Sequence, residues 1–362
     1  MKTIIEEYFL FSVFALFVLS ILSFRYLIFK VLWVVREKGL YKQFNDRSAH
    51  TLPTPILGGV AFFGVFIIMF SLIQSYYSAD SFLVISTVLM FMVGLKDDLV
   101  ISTPKAKFLG ELIAALFLIL IPGMQLINFY GLFGIHEIPY FIGCLISVFI
   151  IIAIINAYNL IDGIDGLAAS LGILVVGVYG ILFWISGDYF RVLLCTVVAG
   201  ILIGYLPFNY DKSDNRIFMG DSGSLMIGLI IGYLTLSVVN IDMKEIAHSA
   251  FHPTNRFALL LAVLFVPFFD TLRIIIIRLQ GGKSPFVADK NHIHHLLLRK
   301  KLTHFQASNL LVLINLFIII LFFILTNYLT PETVMFFILG IYVVSFFLLQ
   351  WTEKKTKKIF RT

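Results

Sequence analysis

Apolar residues run along this chain in long blocks separated by short polar stretches. A helix crossing a hydrocarbon core ~30 Å thick needs about 20 apolar residues. Runs of this kind fall at 9–31, 56–75, 82–96, 107–122, 140–158, 167–186, 191–207, 222–240, 257–278, 308–327 and 332–350. The pattern predicts an all-α, polytopic membrane helical bundle with about eleven spans, in a single domain over residues 1–362. The first run, Phe9 to Val35, is too long for the apolar core of a signal peptide and lacks a small-residue cleavage site, so it reads as a membrane helix. The run at 82–96 is short, which a bundle tolerates where the helix end opens into a polar cavity.

Composition agrees with this reading. Hydrophobic residues make up 60% of the chain and charged residues 13%, with a mean hydropathy of +0.98. Soluble domains carry about 25% charged residues. So little charge cannot cover a water-facing surface, which excludes a single soluble core. Basic residues then orient the bundle. Arg36, Lys38, Lys42 and Arg47 follow the first run; Lys96, Lys105 and Lys107 flank the loop after the third; Lys212 and Arg216 follow the seventh. Arg278, Lys283, Lys290 and Arg299–Lys301 follow the ninth, and the tail adds Lys354, Lys355, Lys357, Lys358 and Arg361. The alternate loops are poor in lysine and arginine, so the N-terminus is expected outside and the C-terminus in the cytoplasm. The net charge of +6 follows from this topology and from attraction to anionic membrane lipid, and calls for no nucleic acid. Cys144 and Cys195 sit inside apolar runs at no metal-ligand spacing and read as packing residues.

The acids of interest fall on the cytoplasmic side. Asp97 and Asp98 end the third run, beside Lys96. Adjacent carboxylates at the mouth of an apolar helix repel unless a cation joins them, and all-oxygen ligands suit Mg2+ or Mn2+. Asn156, Asn159, Asp162 and Asp165 recur every three residues around one side of a helix end, and the two asparagines inside an apolar run need partners. The glycines of Asp162-Gly-Ile-Asp-Gly166 allow close approach of a ligand; the rest of a calcium loop is missing. Asp221-Ser-Gly-Ser224 opens the eighth run as a helix N-terminus, a place that favours phosphate. His292-Ile-His-His295 follows Asp289; without thiols or a metalloprotease helix, gripping a pyrophosphate fits it better than binding zinc. Asp211 and Asp214 read as ordinary loop acids.

These stretches resemble the polyprenyl-phosphate N-acetylhexosamine-1-phosphate transferases. The resemblance spans roughly residues 36–300 and rests on Asn45–His50 with Pro53-Thr-Pro55 and Gly58-Gly59; Lys96-Asp-Asp-Leu99; Asn156–Gly166; Phe218–Leu225; and Ser284–His295. Each stretch alone is weak; their order makes them specific. The His-Ile-His-His form resembles the branch that uses N-acetylglucosamine. The family often has aspartate and proline where Lys42 and Phe44 stand, and arginine where Ile56 stands.

The resemblance implies an enzyme of the bacterial inner membrane that transfers N-acetylhexosamine-1-phosphate from a UDP-N-acetylhexosamine to undecaprenyl phosphate. It implies Asp221 as the main Mg2+ ligand, with Asp97 and Asp98 at the carrier phosphate and Asp98 as a second metal ligand. Asn156, Asn159, Asp162 and Asp165 would line the nucleotide side, with Phe218 on the uracil. Arg278, Asp289, His292, His294 and His295 would hold the pyrophosphate and sugar, while Arg47 and His50 would bind substrate in the first loop. A homodimer is also implied. Direct attack by the carrier and a covalent aspartyl intermediate both remain open. A transporter or lipid flippase is the rival reading, but transporters place ionisable groups near the midplane rather than at helix ends.

Overall fold

The computed structural model describes residues 8–40, 54–75, 77, 80–100, 102–241, 253–282 and 292–359. Among them the chain forms thirteen α-helices and no named strand. They are α1 (Phe9–Lys38), α2 (Gly58–Gln74), α3 (Ser81–Leu99), α4 (Pro104–Leu118), α5 (Tyr140–Ile161), α6 (Leu167–Ile185) and α7 (Tyr189–Tyr210). Then follow α8 (Gly220–Val239), α9 (Arg256–Val263), α10 (Phe265–Gln280), α11 (Ile293–Arg299), α12 (His304–Leu325) and α13 (Pro331–Ile359). Each expected apolar run coincides with a helix, except that 257–278 divides into α9 and α10.

Among the described residues seven helices are long and apolar enough to cross a membrane, and eight spans result if the bent α9–α10 pair counts as one. The chain is therefore a multi-pass membrane protein. The 17 residues of α2 are fewer, and α3 carries Lys96, Asp97 and Asp98 in its last turns. At 1.5 Å per residue, α4 is only about 22 Å long. Its start is written locally: the Thr103 side chain accepts from the Ala106 N–H, and Pro104 occupies the first turn. The start of α12 is a capping box between Thr303 and Gln306.

The bundle is built around α8, which is buried along the whole stretch from Ser222 to Val239. α2, α3, α5, α6 and α9 pack around it, while α1 packs outside on α2 and α7. Lipid tails are as apolar as leucine, so membrane helices associate through close backbone approach and shape rather than through the hydrophobic effect. At Gly94, α3 lies against the backbone at the start of α8. A Cβ there would stand 2.5 Å from the backbone of Asp221 and Ser222. The irregular backbone before α2 and α8 is satisfied internally. Phe218 N–H donates to Pro55 O (2.8 Å), and Gly58 and Gly59 donate to Phe218 O and Met219 O (3.1 and 2.9 Å).

α9 and α10 meet at Leu264 at an angle of 78°. A break at this depth frees backbone groups, and Asn315 of α12 takes up two of them. Its Oδ1 accepts from Val266 N–H and its Nδ2 donates to Val263 O, both at 2.9 Å. Asn315 is fully buried, so the kink is a fixed feature stitched by a side chain.

Candidate active site

One end of the bundle gathers the C-termini of α3, α5 and α7 with the N-termini of α4, α6, α8 and α12. Its centre is Lys107, one turn into α4. The ammonium donates to Asp221 Oδ2 at 2.5 Å and to Asn159 Oδ1 at 3.3 Å, and lies 3.8 Å from Asp97 Oδ2. Asn159 Nδ2 donates to Asp221 Oδ1 (3.3 Å) and to Ser224 Oγ (2.7 Å). Four helices, α3, α4, α5 and α8, thus bring two carboxylates, an amide and an ammonium to one point. One turn deeper, Glu111 Oε2 accepts from Asn156 Nδ2 at 2.5 Å, which ties α4 to α5 again.

Asp97 and Asp98 are neighbours with different environments. Asp97 Oδ1 accepts from the Ser102 N–H at 2.7 Å, which closes the turn into α4 and leaves Oδ2 toward Lys107. Asp98 faces the start of α8. Its Oδ1 accepts from Asp221 N–H (2.8 Å), and its Oδ2 accepts from Ser222 N–H (2.9 Å) and Ser222 Oγ (2.6 Å). Asp98 therefore caps α8, satisfying N–H groups that have no partner inside the helix and placing negative charge at its positive end.

The turn from α5 to α6 carries the second group. Asp162 ends α5, and Gly163 lies directly under the His294 ring, where any Cβ would fall 2.3 Å from Nε2. His294 is only 2% exposed. Burial pushes its pKa down to about 3, so the ring is neutral at physiological pH. His292 stacks beside it with ring centroids 5.6 Å apart, and His295 follows at 4.4 Å from His294. Arg278 is buried near the end of α10.

Asp165 forms a third group. One guanidinium nitrogen of Arg216 donates to both its oxygens (2.7 and 2.6 Å), and His304 Nδ1 lies 3.1 Å from Oδ2. Burial raises the Asp165 pKa, but hydrogen bonds from His304 and Arg216 outweigh it and hold the carboxyl below its ordinary value. The same guanidinium lies over the Phe218 ring, 5.1 Å from its centroid.

The structure thus brings Asp97, Asn159 and Asp221 onto Lys107, seats Asp98 on the α8 backbone, and gathers His292, His294 and His295 beside the Asp162–Gly163 turn. Arg47, His50 and Asp289 lie outside the described residues. In the sequence, Lys107 and Arg216 stand out only as topology charges, and Glu111 and Asp270 belong to no motif. The available signal was an ionisable residue inside an apolar run, which is expensive and therefore functional by default. Lys107 and Glu111 also stand at i and i+4, on one helix face.

Among the described residues no group of three or more histidine, cysteine, aspartate or glutamate side chains is arranged to hold a metal. The donor set still fits magnesium, which is commonly held by one or two carboxylates together with substrate phosphates. Asp97 and Asp221 already converge on one cation, the Lys107 ammonium.

Comparison with known proteins places this arrangement. Residues 81–239, from α3 through α8 with all members of the Lys107 cluster, match the profile described as Glycosyl transferase family 4. The chain is 33% identical over 291 residues to a decaprenyl-phosphate N-acetylglucosaminephosphotransferase of Mycolicibacterium smegmatis, covering 74% of this chain and 71% of that one. It is 31% identical over 294 residues to the protein of the same name in Mycobacterium leprae, covering 74% and 72%. It is 29% identical over 338 residues to the undecaprenyl-phosphate alpha-N-acetylglucosaminyl 1-phosphate transferase of Escherichia coli K12, covering 91% and 87%. A match that takes in the whole four-helix cluster, and relatives aligned over most of both lengths, mean that the chain belongs to glycosyl transferase family 4.

Proposed function

We propose that this protein transfers N-acetylglucosamine-1-phosphate from UDP-N-acetylglucosamine to undecaprenyl phosphate and releases UMP, so starting a cell-envelope polysaccharide. The reaction takes place at the cytoplasmic face of the bacterial inner membrane, in a single domain of eleven spans with the N-terminus outside. The lysine and arginine bias of the alternate loops supports that orientation. The names of the relatives support the carrier and the sugar phosphate. The observation that carries the reading is the convergence of Asp97, Lys107, Asn159 and Asp221 at one end of an apolar bundle. A site at the membrane boundary is where a lipid phosphate and a water-soluble nucleotide can meet.

The chemistry is phosphoryl transfer, in which the protein mainly positions groups and stabilises charge. A phosphate oxygen of the carrier attacks the phosphorus next to the sugar. The new P–O bond forms as the bond to the UMP oxygen breaks, and UMP carries away the electron pair. The second ionisation of a phosphomonoester lies near 6, so the carrier is largely dianionic at neutral pH and direct attack needs no strong base. Asp221 would hold a magnesium ion with Asp97 rather than with the expected Asp98, whose two oxygens are taken up by the start of α8, and the ion when bound neutralises charge on the diphosphate. Lys107 adds a fixed positive charge between the same carboxylates. Asn159 holds Asp221 in place, and Asp98 holds the helix that carries it.

The test is UMP release by purified protein given undecaprenyl phosphate, UDP-N-acetylglucosamine and Mg2+, with Asp221→Asn alongside. UMP together with a lipid-linked sugar, both lost on chelation and in the variant, supports the reading. Folded protein that releases no UMP from any UDP-N-acetylhexosamine sinks it.

A further inference from the structure

Asp270 is an acid in the sixth position of α10, inside an apolar run, with 1% of its surface exposed. A carboxylate so deeply buried must be paired or hydrogen-bonded. Both oxygens are engaged by the start of α11. Oδ2 lies 2.9 Å from His292 Nδ1, and Oδ1 accepts the Ile293 N–H at 2.8 Å. Arg273, one turn along α10, stands 3.9 Å from Oδ1 and keeps the carboxyl in the company of a positive charge.

This pairing decides more than position. An ionised carboxylate only accepts hydrogen bonds, so the His292 nitrogen facing it must carry the ring proton. In the neutral ring the other nitrogen, Nε2, keeps its lone pair, and it has no hydrogen-bond partner among the described residues. His292 also stacks on His294, which packs against the Asp162–Gly163 turn, so the ring belongs to the wall of the candidate site. We propose that Asp270 is a positioning residue that fixes His292 as the Nδ1–H tautomer and so presents Nε2 as a hydrogen-bond acceptor for a hydroxyl of the donor sugar. The inference deepens the transferase reading and rests on it.

Asp270→Asn is the informative change. The Ile293 N–H is a fixed donor, so the amide oxygen turns toward it and the NH2 faces His292. The imidazole must then accept at Nδ1 and carry its proton at Nε2, while size and packing stay unchanged. For metal-bound histidines the loss of the orienting partner costs roughly 10–100-fold in activity, and Asp270 stands in the same geometric relation to His292. The expected result is a loss of that order in kcat/KM for the sugar nucleotide, and no further loss when Asp270→Asn is added to His292→Ala. Asp270→Asn within threefold of the parent overturns the proposal, and so does an equal penalty in the His292→Ala background, because a purely structural role acts without the ring.

A second readout does not depend on activity or on the variant folding. In 15N-histidine spectra of the parent protein, with His292→Gln to assign the signal, His292 is expected with a protonated Nδ1 and a bare Nε2. A proton on Nε2 overturns the proposal. A parent protein that releases no UMP yet shows the Nδ1–H tautomer would count against the transferase reading and leave the pairing standing.

Discussion

Gly94→Ala adds one methyl group at the place where α3 touches α8. The new carbon would meet Asp221 O, Ser222 N and Ser222 Cα at 2.5 Å, whereas ordinary contacts begin at 3.4 Å. The obstacle is helix backbone, which cannot rotate away like a side-chain tip, so the two helices must part by about 1 Å. Inserting a methyl group into a packed core costs roughly 1–3 kcal/mol. The functional cost is larger, because the same two helices carry Asp97, Asp98 and Asp221. A shift of ~1 Å in a catalytic arrangement can cost about 100-fold. The assay is kcat for UMP release, read beside the melting temperature in detergent. Gly177→Ala on α6 is the control: a Cβ there meets nothing within 4 Å, so kcat is not expected to move and the melting temperature should hold or rise slightly from better helix propensity. Gly94→Ala with kcat within threefold of the parent would refute the claim that backbone contact sets the site geometry.

Further expectations follow from the same geometry. Asp98→Asn should lower the melting temperature in magnesium-free buffer, because charge-assisted bonds to the α8 N-terminus are weakened, each worth roughly 1.5–3 kcal/mol. An unchanged melting temperature would remove the capping role. Lys107→Met leaves Asp97 and Asp221 facing each other without their ammonium, so its thermal stability should depend on magnesium more steeply than that of the parent. Equal magnesium dependence in both would show that Lys107 does not neutralise the pair. His294 is held neutral by burial, with a pKa of about 3 against an ordinary 6.5. The unfolded chain therefore binds a proton at this residue between those values and the folded chain does not. Its contribution to stability is full above pH 6.5 and falls as pH drops toward 3, by up to about 1.4 kcal/mol per pH unit. Melting curves of His294→Phe from pH 7 to 4 should fall less steeply than those of the parent, and parallel curves would contradict this.

Much of the fold is legible in the sequence because the bilayer imposes a simple length and composition on each helix. The break at Leu264 is the exception. Pro267 marks the place, but hydropathy runs straight through it, and the stitch comes from Asn315, far along the chain. The site is legible as a set of residues and not as a set of roles. Asp97 and Asp98 differ by about 100° around a helix. Which of them meets Lys107 and which meets α8 depends on where α8 lies, and no local pattern carries that. Arg216 pairs with an acid 51 positions away, and Asp270 with a histidine 22 positions on. Such partners are set by packing, so sequence spacing is silent about them.

The central claim is that a sugar phosphate, rather than a bare sugar, moves to the lipid carrier. UDP-N-acetylglucosamine labelled only at the phosphorus next to the sugar tests it directly. The label is expected in the lipid diphosphate product, with unlabelled UMP released in equal amount and both signals lost in Asp221→Asn. Label recovered in released UDP, with an unlabelled sugar on the lipid, would contradict it.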